Sequence, residues 1–185
     1  MPKYASFDHT KPEPQQVNGW YDTDSLKYPS LPDFRDLLVL TQEQWDARGL
    51  DVTSWAVQGG TLIPYTPPMP LPQQAQILLG QKLAQGIQVT SDSLPLINAT
   101  YALDPTSTAQ IFQIGTFANS FQEFPSGSDT QLYPDITGQP HIFTVPVFIA
   151  FLRAVAALVS NMQLQAGVMA NGGTPAWPQQ IAALS

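Results

Sequence analysis

Between Gly86 and Pro105 the apolar positions fall on alternate residues, first Ile87 and Val89, then Ala99, Tyr101 and Leu103, with polar or small residues between them. A period of two belongs to half-buried strands, so the stretch predicts a β-hairpin. Asp104-Pro105 directly behind it predicts a helix, because aspartate caps the first free amides and proline fits the first helical position. Ile111, Ile114, Ala118 and Phe121 mark one face of that helix, which runs to about Phe124 and stops at Pro125-Ser126-Gly127-Ser128. Leu132 to Thr144 reads as a third extended segment with a turn at Gly138.

Thr144 then opens a long helix. Phe148, Phe151, Leu152, Val155, Leu158, Val159 and Met162 form a wide apolar face, Ala150, Ala154, Ala156 and Ala157 fill the rest, and Arg153 is the only charge. A helix apolar nearly all round has to be covered on more than one side. Two covers are open: burial inside one small domain, or self-association. The seven residues of the wide face are therefore the candidate partner or self-association surface.

The first third of the chain reads as strands with short connections. Residues 3–9, Gly19 to Thr23 and Leu37 to Leu40 have strand character, and Tyr28-Pro29-Ser30-Leu31-Pro32 is an extended connection. Thr41-Gln42-Glu43-Gln44-Trp45 carries a capping-box pattern that starts a short helix ending near Gly49. Trp55 to Tyr65 is a hairpin about Gly59-Gly60, since paired glycines tolerate the positive φ of a tight turn. Pro67, Pro68, Pro70 and Pro72 then stiffen the chain into a linker, and a helix with Ala75, Leu78, Leu79 and Leu83 on one side leads to Gly86.

The expected fold class is α+β. Residues 1–66 form a small β-rich module, 67–73 a proline-rich linker, 74–166 a helix, hairpin, helix, strand and long helix, and 167–185 a loosely held tail that Trp177 and Ile181 could anchor. A proline-rich ligand is the other reading of the linker, and a spacer is the commoner one.

Composition narrows the function classes. Charged residues make up 11% of the 185, so the surface is polar and hardly ionic. The net charge of −7 speaks against nucleic acid, which needs clustered Lys and Arg. Residues 1–66 hold five basic and nine acidic side chains, and the remaining part holds only Lys82, Arg153 and five acids. There is no cysteine, hence no disulfide framework or thiolate metal site. The N-terminus lacks the apolar core of a signal peptide, and the apolar run Val145 to Val159, broken by Pro146 and Arg153, is short for a bilayer span, so no membrane insertion is expected.

Candidate chemistry is sparse. His9 beside Asp8 reads as a solvated pair, and His141 after Asp129 and Asp135 as a turn residue, although an imidazole–carboxylate site can be drawn from it. Asp22 with Asp24, or Asp33 with Asp36, could pair for glycoside hydrolysis, but turns are rich in aspartate for capping reasons. No Gly-x-Ser-x-Gly elbow or phosphate loop is present, and Asn98-Ala99-Thr100 fits a glycosylation acceptor only in a secreted chain. No catalytic, cofactor-binding or metal-ligating residue is assigned, no cofactor is expected, and the chain is not read as an enzyme. Trp20, Tyr21, Tyr28, Trp45, Trp55 and Tyr65 could form a sugar-stacking face or the core of a small β module.

Several segments resemble a known family. Gln16-Val17-Asn18-Gly19-Trp20-Tyr21-Asp22-Thr23-Asp24, Tyr28-Pro29-Ser30-Leu31-Pro32, Leu40-Thr41-Gln42-Glu43-Gln44-Trp45, Trp55-Ala56-Val57 and Tyr65-Thr66-Pro67-Pro68 look like the N-terminal part of tail-fibre-associated proteins of phages and prophages. Gly86 to Ser91, Leu96 to Asp104, and Pro134-Asp135 with His141-Ile142-Phe143 resemble the domain of unassigned function that often follows it. The likeness covers most of residues 16–165. It implies a structural component of a bacteriophage tail, fibre- or baseplate-associated, made in the host cytoplasm, located in the virion and partnered by other tail proteins; the homo-oligomer expectation comes from the apolar face of the long helix. Its alternatives are a tail fibre assembly chaperone that leaves the virion and a module that binds host surface glycan.

Overall fold

A computed structural model describes residues 2–184, so Met1 and Ser185 lie outside the described residues. The class is α+β, with four α-helices and several small sheets among the described residues. The chain divides into two compact units, one ending at Pro68 and the other beginning at Met69.

The first unit contains β1 (Lys3–Ser6), β2 (Gln15–Gln16), β3 (Gly19–Asp22), β4 (Leu37–Leu40), α1 (Gln42–Ala47), β5 (Trp55–Gln58) and β6 (Thr61–Pro64). Two antiparallel sheets, in orders β3-β1-β4 and β2-β5-β6, enclose a core of Ala5, Val17, Leu40, Trp45, Val57 and Leu62. α1 starts where the pattern put it: Gln44 N–H donates to the Thr41 hydroxyl at 3.2 Å, and Thr41 N–H donates to Gln44 Oε1 at 2.9 Å. The β5–β6 turn has Gly59 and Gly60 at φ +55° and +73°, the left-handed conformation that a two-residue hairpin loop demands.

The second unit contains α2 (Leu71–Ala84), β7 (Ile87–Thr90), β8 (Ala99–Tyr101), α3 (Pro105–Phe121), β9 (Thr130–Pro134), β10 (Pro140–Thr144), α4 (Val145–Ala170) and β11 (Ile181–Ala183). β7 and β8 pair antiparallel, as the alternation predicts, with Ile87 opposite Tyr101 and Val89 opposite Ala99. Gly86 enters β7 at φ +74°, and a Cβ there would run into the Tyr101 carbonyl, so the position takes glycine on two counts. Asp104 caps α3 by accepting from the amides of Thr106 and Ser107 at 2.9 and 3.1 Å.

Tyr101 is the hub of the core. Its ring lies 5.0–6.2 Å from those of Tyr133, Phe143 and Phe151, and its hydroxyl donates to the Ile97 carbonyl at 2.8 Å. Phe124, Phe148, Val155 and Met162, all fully buried, belong to the same core cluster.

Four expectations are corrected here. The seven residues proposed as an association surface are interior: Phe148, Phe151, Val155 and Met162 are fully buried, Leu158 is buried, and Leu152 and Val159 are half-buried. α2, α3 and the strands cover α4 from several sides, so its breadth of apolar face is explained within this unit. The linker is shorter than 67–73, because α2 starts at Leu71 with Pro72 in its first turn, where a missing N–H leaves no bond unmade. α4 passes 166 to reach Ala170; its 26 residues are long and apolar enough by composition to cross a bilayer, although eight of them are buried inside the unit. Thr144 stands at its N-cap without a side-chain bond to the helix.

The last correction concerns 167–185. β11 pairs parallel to β7, with Ile181 opposite Gln88 and Ala183 opposite Thr90. Gln180 Nε2 donates to the carbonyls of Lys82 and Gly86, both at 2.7 Å, and Trp177 packs against the core. The segment is therefore a strap closing the sheet, with order β11-β7-β8, and not a loose tail.

Candidate functional site

The β9–β10 hairpin brings together the groups that stand out. It is a sheet of two strands by itself, with Tyr133 opposite His141 and Leu132 opposite Ile142. Successive side chains alternate in direction, so Tyr133 and Phe143 are buried on the inner face while Leu132 and Ile142 point out, 58% and 56% exposed. Leu96, from the 3-10 turn Pro95–Ile97, stands beside Ile142 at 81% exposure. Two hollows flank Ile142: one of about 480 Å³ with Ser126, Ser128, Thr130 and Leu132 in its wall, and one of about 440 Å³ with Leu96, Pro140, His141 and Asp135. Neither strand carries a carboxylate, a lysine or an arginine.

The edges of this hairpin are partly occupied: β10 lies against the Pro95–Ile97 turn, and the Thr130 amide donates to the Ser128 hydroxyl at 3.1 Å. Asp135 N–H donates to the Gln139 carbonyl at the turn, so hydrogen-bonded pairs recur at Tyr133/His141 and Gln131/Phe143. The amides of Leu132 and Ile142 then point away from the hairpin. The Leu132 carbonyl is taken by Gln131 Nε2 at 2.9 Å.

At the floor of the second hollow lies an ion pair. His141 Nε2 is 3.1 Å from Asp135 Oδ2 and His141 Nδ1 is 2.6 Å from the Leu96 carbonyl. Both ring nitrogens face acceptors, a carbonyl and a carboxylate, an arrangement that favours the doubly protonated imidazolium. Burial pulls its pKa down, yet the Leu96 carbonyl and Asp135 outweigh burial and leave it raised. The Thr137 hydroxyl and His141 hold Asp135 well below the ordinary carboxylate range, helped by the amides of Gln139 and Thr137. Tyr101 meets the imidazole ring edge-on at 5.7 Å; its own hydroxyl is pushed up by burial and by the Asp135 charge. Burial likewise pushes Tyr133 up to about 12. Both pair members are mostly sheltered, at 17% and 12% side-chain exposure, which makes the pair a clasp between the hairpin turn and the Leu96 turn.

The other sequence candidates end as turn chemistry. His9 meets Asp36 and not Asp8: its Nδ1 lies 2.6 Å from Asp36 Oδ1, which also accepts the His9 amide at 3.0 Å. Asp8 accepts from the amide and hydroxyl of Thr10 instead. Asp8, His9 and Asp36 can each offer one ligand atom within 4.8 Å of the others, the one set among the described residues with a metal-compatible spacing. Asp33 is engaged by Arg35 through two nitrogens and is held down at about 2, while Asp22 caps its own turn through the amides of Asp24 and Ser25. Asn98 is likewise occupied, accepting the Ser91 amide at 2.5 Å.

The aromatic residues of the first unit split between opposite sides of its sheets. Trp20 and Tyr21 are neighbours in β3, so they face opposite ways. Tyr21 meets Tyr28 at a tilt of 57° with ring centroids 5.1 Å apart, whereas Trp45 is buried with the Arg48 guanidinium 3.3 Å above its ring. The sugar-stacking set Trp20, Tyr21, Tyr28, Trp45, Trp55 and Tyr65 is thus not one platform.

Leu132, Ile142 and Leu96 were not among the predicted site residues. The signal for them is present: Leu132-Tyr133 and Ile142-Phe143 put apolar residues on both faces of each strand, one face more than the unit's own core uses. Compared with known protein families, curated proteins and solved structures, the chain matches none.

Proposed function

We propose that this chain is a structural component of a bacteriophage tail, fibre- or baseplate-associated, that works through protein–protein contacts and performs no catalysis. The observation that carries the contact role is the outward face of the β9–β10 hairpin, where Leu132, Ile142 and Leu96 stand exposed and neither strand carries an aspartate, glutamate, lysine or arginine. Water-exposed aliphatic side chains grouped in this way favour a protein partner. The tail assignment rests on the segments that resemble tail-fibre-associated proteins. Several of those segments are elements that shape the two units: Thr41 to Trp45 starts α1, and Leu96 to Asp104 carries β8, the Tyr101 hub and the α3 cap.

Mass spectrometry of purified particles, with copy numbers, tests the reading. The chain is expected in particles at a copy number matching a tail component. Its absence from particles that assemble only when it is expressed would overturn the component reading and identify an assembly chaperone.

A further inference from the structure

We propose that the strap is exchangeable between copies of this chain: β11 of one copy leaves its slot beside β7 and closes the β7-β8 sheet of a second copy. The inference concerns contacts between copies and does not depend on the tail reading above.

What fits the slot is shown by what fills it. Ile181, Ala182 and Ala183 stand opposite Gln88, Val89 and Thr90. The Gln88 amide donates to the Gln180 carbonyl and the Leu184 amide to the Thr90 carbonyl, both at 2.8 Å. Ala182 and Leu184 are buried, and Gln180 Nε2 reaches the Lys82 and Gly86 carbonyls. A second copy carries the same residues in the same order, so its strap offers the slot every one of these bonds. Exchange between identical chains replaces each contact by an equal one.

β11 can leave without dismantling the rest of the unit. Its packing is chiefly on β7, whereas α4 is held by α2, α3 and β10. Ile181 is exposed, and Ala182 contributes only a methyl group to the core. A hollow of about 320 Å³ lined by Thr90, Asp92, Ser93, Ala183 and Leu184 opens beside the strap's far end. A segment with few buried apolar contacts at a sheet edge opens before the fold as a whole does.

The turn into the strap decides between the closed and exchanged forms. Gly172 sits at φ +82°, and the amides of Gly172 and Gly173 donate to the carbonyls of Met169 and Val168 at 3.0 and 2.9 Å. A Cβ on Gly173 would lie 2.7 Å from Val168 Cγ1 and 3.1 Å from the Val168 carbonyl oxygen. The closed form therefore needs glycine here, while a strap that runs outward does not. Residues 173–180 form no helix or strand, and once extended they span up to about 26–29 Å, enough to carry β11 to a neighbouring copy.

The test uses the absence of cysteine, which makes any introduced thiol the only one in its chain. Gln88 and Ile181 are opposite one another and both exposed. Full chains carrying Gln88→Cys, labelled with ¹⁵N, are mixed with unlabelled chains carrying Ile181→Cys under oxidised glutathione, and intact mass spectrometry counts the mixed disulfide. Its yield is expected to be several-fold above that from Ile181→Cys mixed with Leu164→Cys, an exposed position on α4 outside the ladder. Adding Gly173→Val to both chains is expected to raise the yield further, an effect that a merely loosened strand would not predict for Gln180→Ala. One chain bearing both Gln88→Cys and Ile181→Cys is expected to close its own disulfide. A mixed yield no higher than the Leu164→Cys control, with the double variant closed within itself, overturns the proposal and leaves the tail-component reading standing. A double variant unable to close would overturn it too, by removing the strand pairing on which it stands.

Discussion

Gly115 and Leu152 mark a close approach of α3 to α4: a Cβ built on Gly115 would lie 2.8 Å from Leu152 Cδ2 and 2.9 Å from Leu152 Cβ. The second of those atoms is fixed to the helix backbone and cannot swing away. Gly115→Ala should therefore push the helices apart, at a cost of about 1–3 kcal/mol for overpacking. That exceeds the roughly 1 kcal/mol that alanine gains over glycine in a helix interior. Gly80, exposed in α2 with nothing within 4 Å of its Cβ direction, should show the opposite sign. Urea unfolding of the two variants is expected to move the midpoint down for Gly115→Ala and up for Gly80→Ala.

Tyr101→Phe isolates one hydrogen bond. The ring contacts with Phe143 and Phe151 remain, but the buried Ile97 carbonyl loses its donor. Leaving a buried acceptor unmet costs about 1–3 kcal/mol. Thermal unfolding should show a lower Tm for Tyr101→Phe with native far-ultraviolet circular dichroism, and an unchanged Tm would show that the hydroxyl does not hold the Leu96 turn.

The clasp between His141 and Asp135 gives the second unit a pH dependence of defined sign. The folded-state pKa of His141 is raised, so its contribution is complete below the unfolded value of about 6.5 and is lost as pH rises through the folded value. For Asp135 the folded value is lowered, so its contribution is complete above about 3.9 and is lost as pH falls through the folded value. Both are present together at mildly acidic pH. His141→Gln should therefore destabilise most near pH 6 and least in alkaline solution. An equal loss at both ends of that range would contradict the imidazolium.

Gln180→Ala tests the strap. It removes two bonds of 2.7 Å to the Lys82 and Gly86 carbonyls, worth about 0.5–1.5 kcal/mol each. Hydrogen exchange should quicken at the amides of Gln88 and Leu184, which bond across β7 and β11. Protection equal to wild type would mean that β11 is held by its strand pairing and by Trp177 alone.

Local signals were readable in the sequence and long-range ones were not. Thr41 with Gln44, Asp104 with Pro105, and Gly59-Gly60 each act within four residues, so the side chain, the cap and the turn can be paired on paper. The Ile87/Val89 and Ala99/Tyr101 alternation placed β7 and β8 for the same reason. By contrast, Ile181-Ala182-Ala183 is too short to show a period, and its partner β7 is far away in sequence. The face of α4 was read correctly as apolar, but the same spacing fits a helix buried by its own domain and one buried by a second chain. What decides is α2 and α3 packing around it. His141 and Asp135 are six residues apart, and only the turn at Gly138 folds them together.

The strap also sets an order of events during synthesis. Every strand and helix of the first unit lies before residue 65, whereas Gln180 must reach a carbonyl 94 residues behind it to lock the second unit's sheet. On the ribosome the first unit can be finished while the second still waits for its closing strand. Through that interval β7 has an unpaired side, and an open strand edge in a nascent unit is a point where mispairing can start.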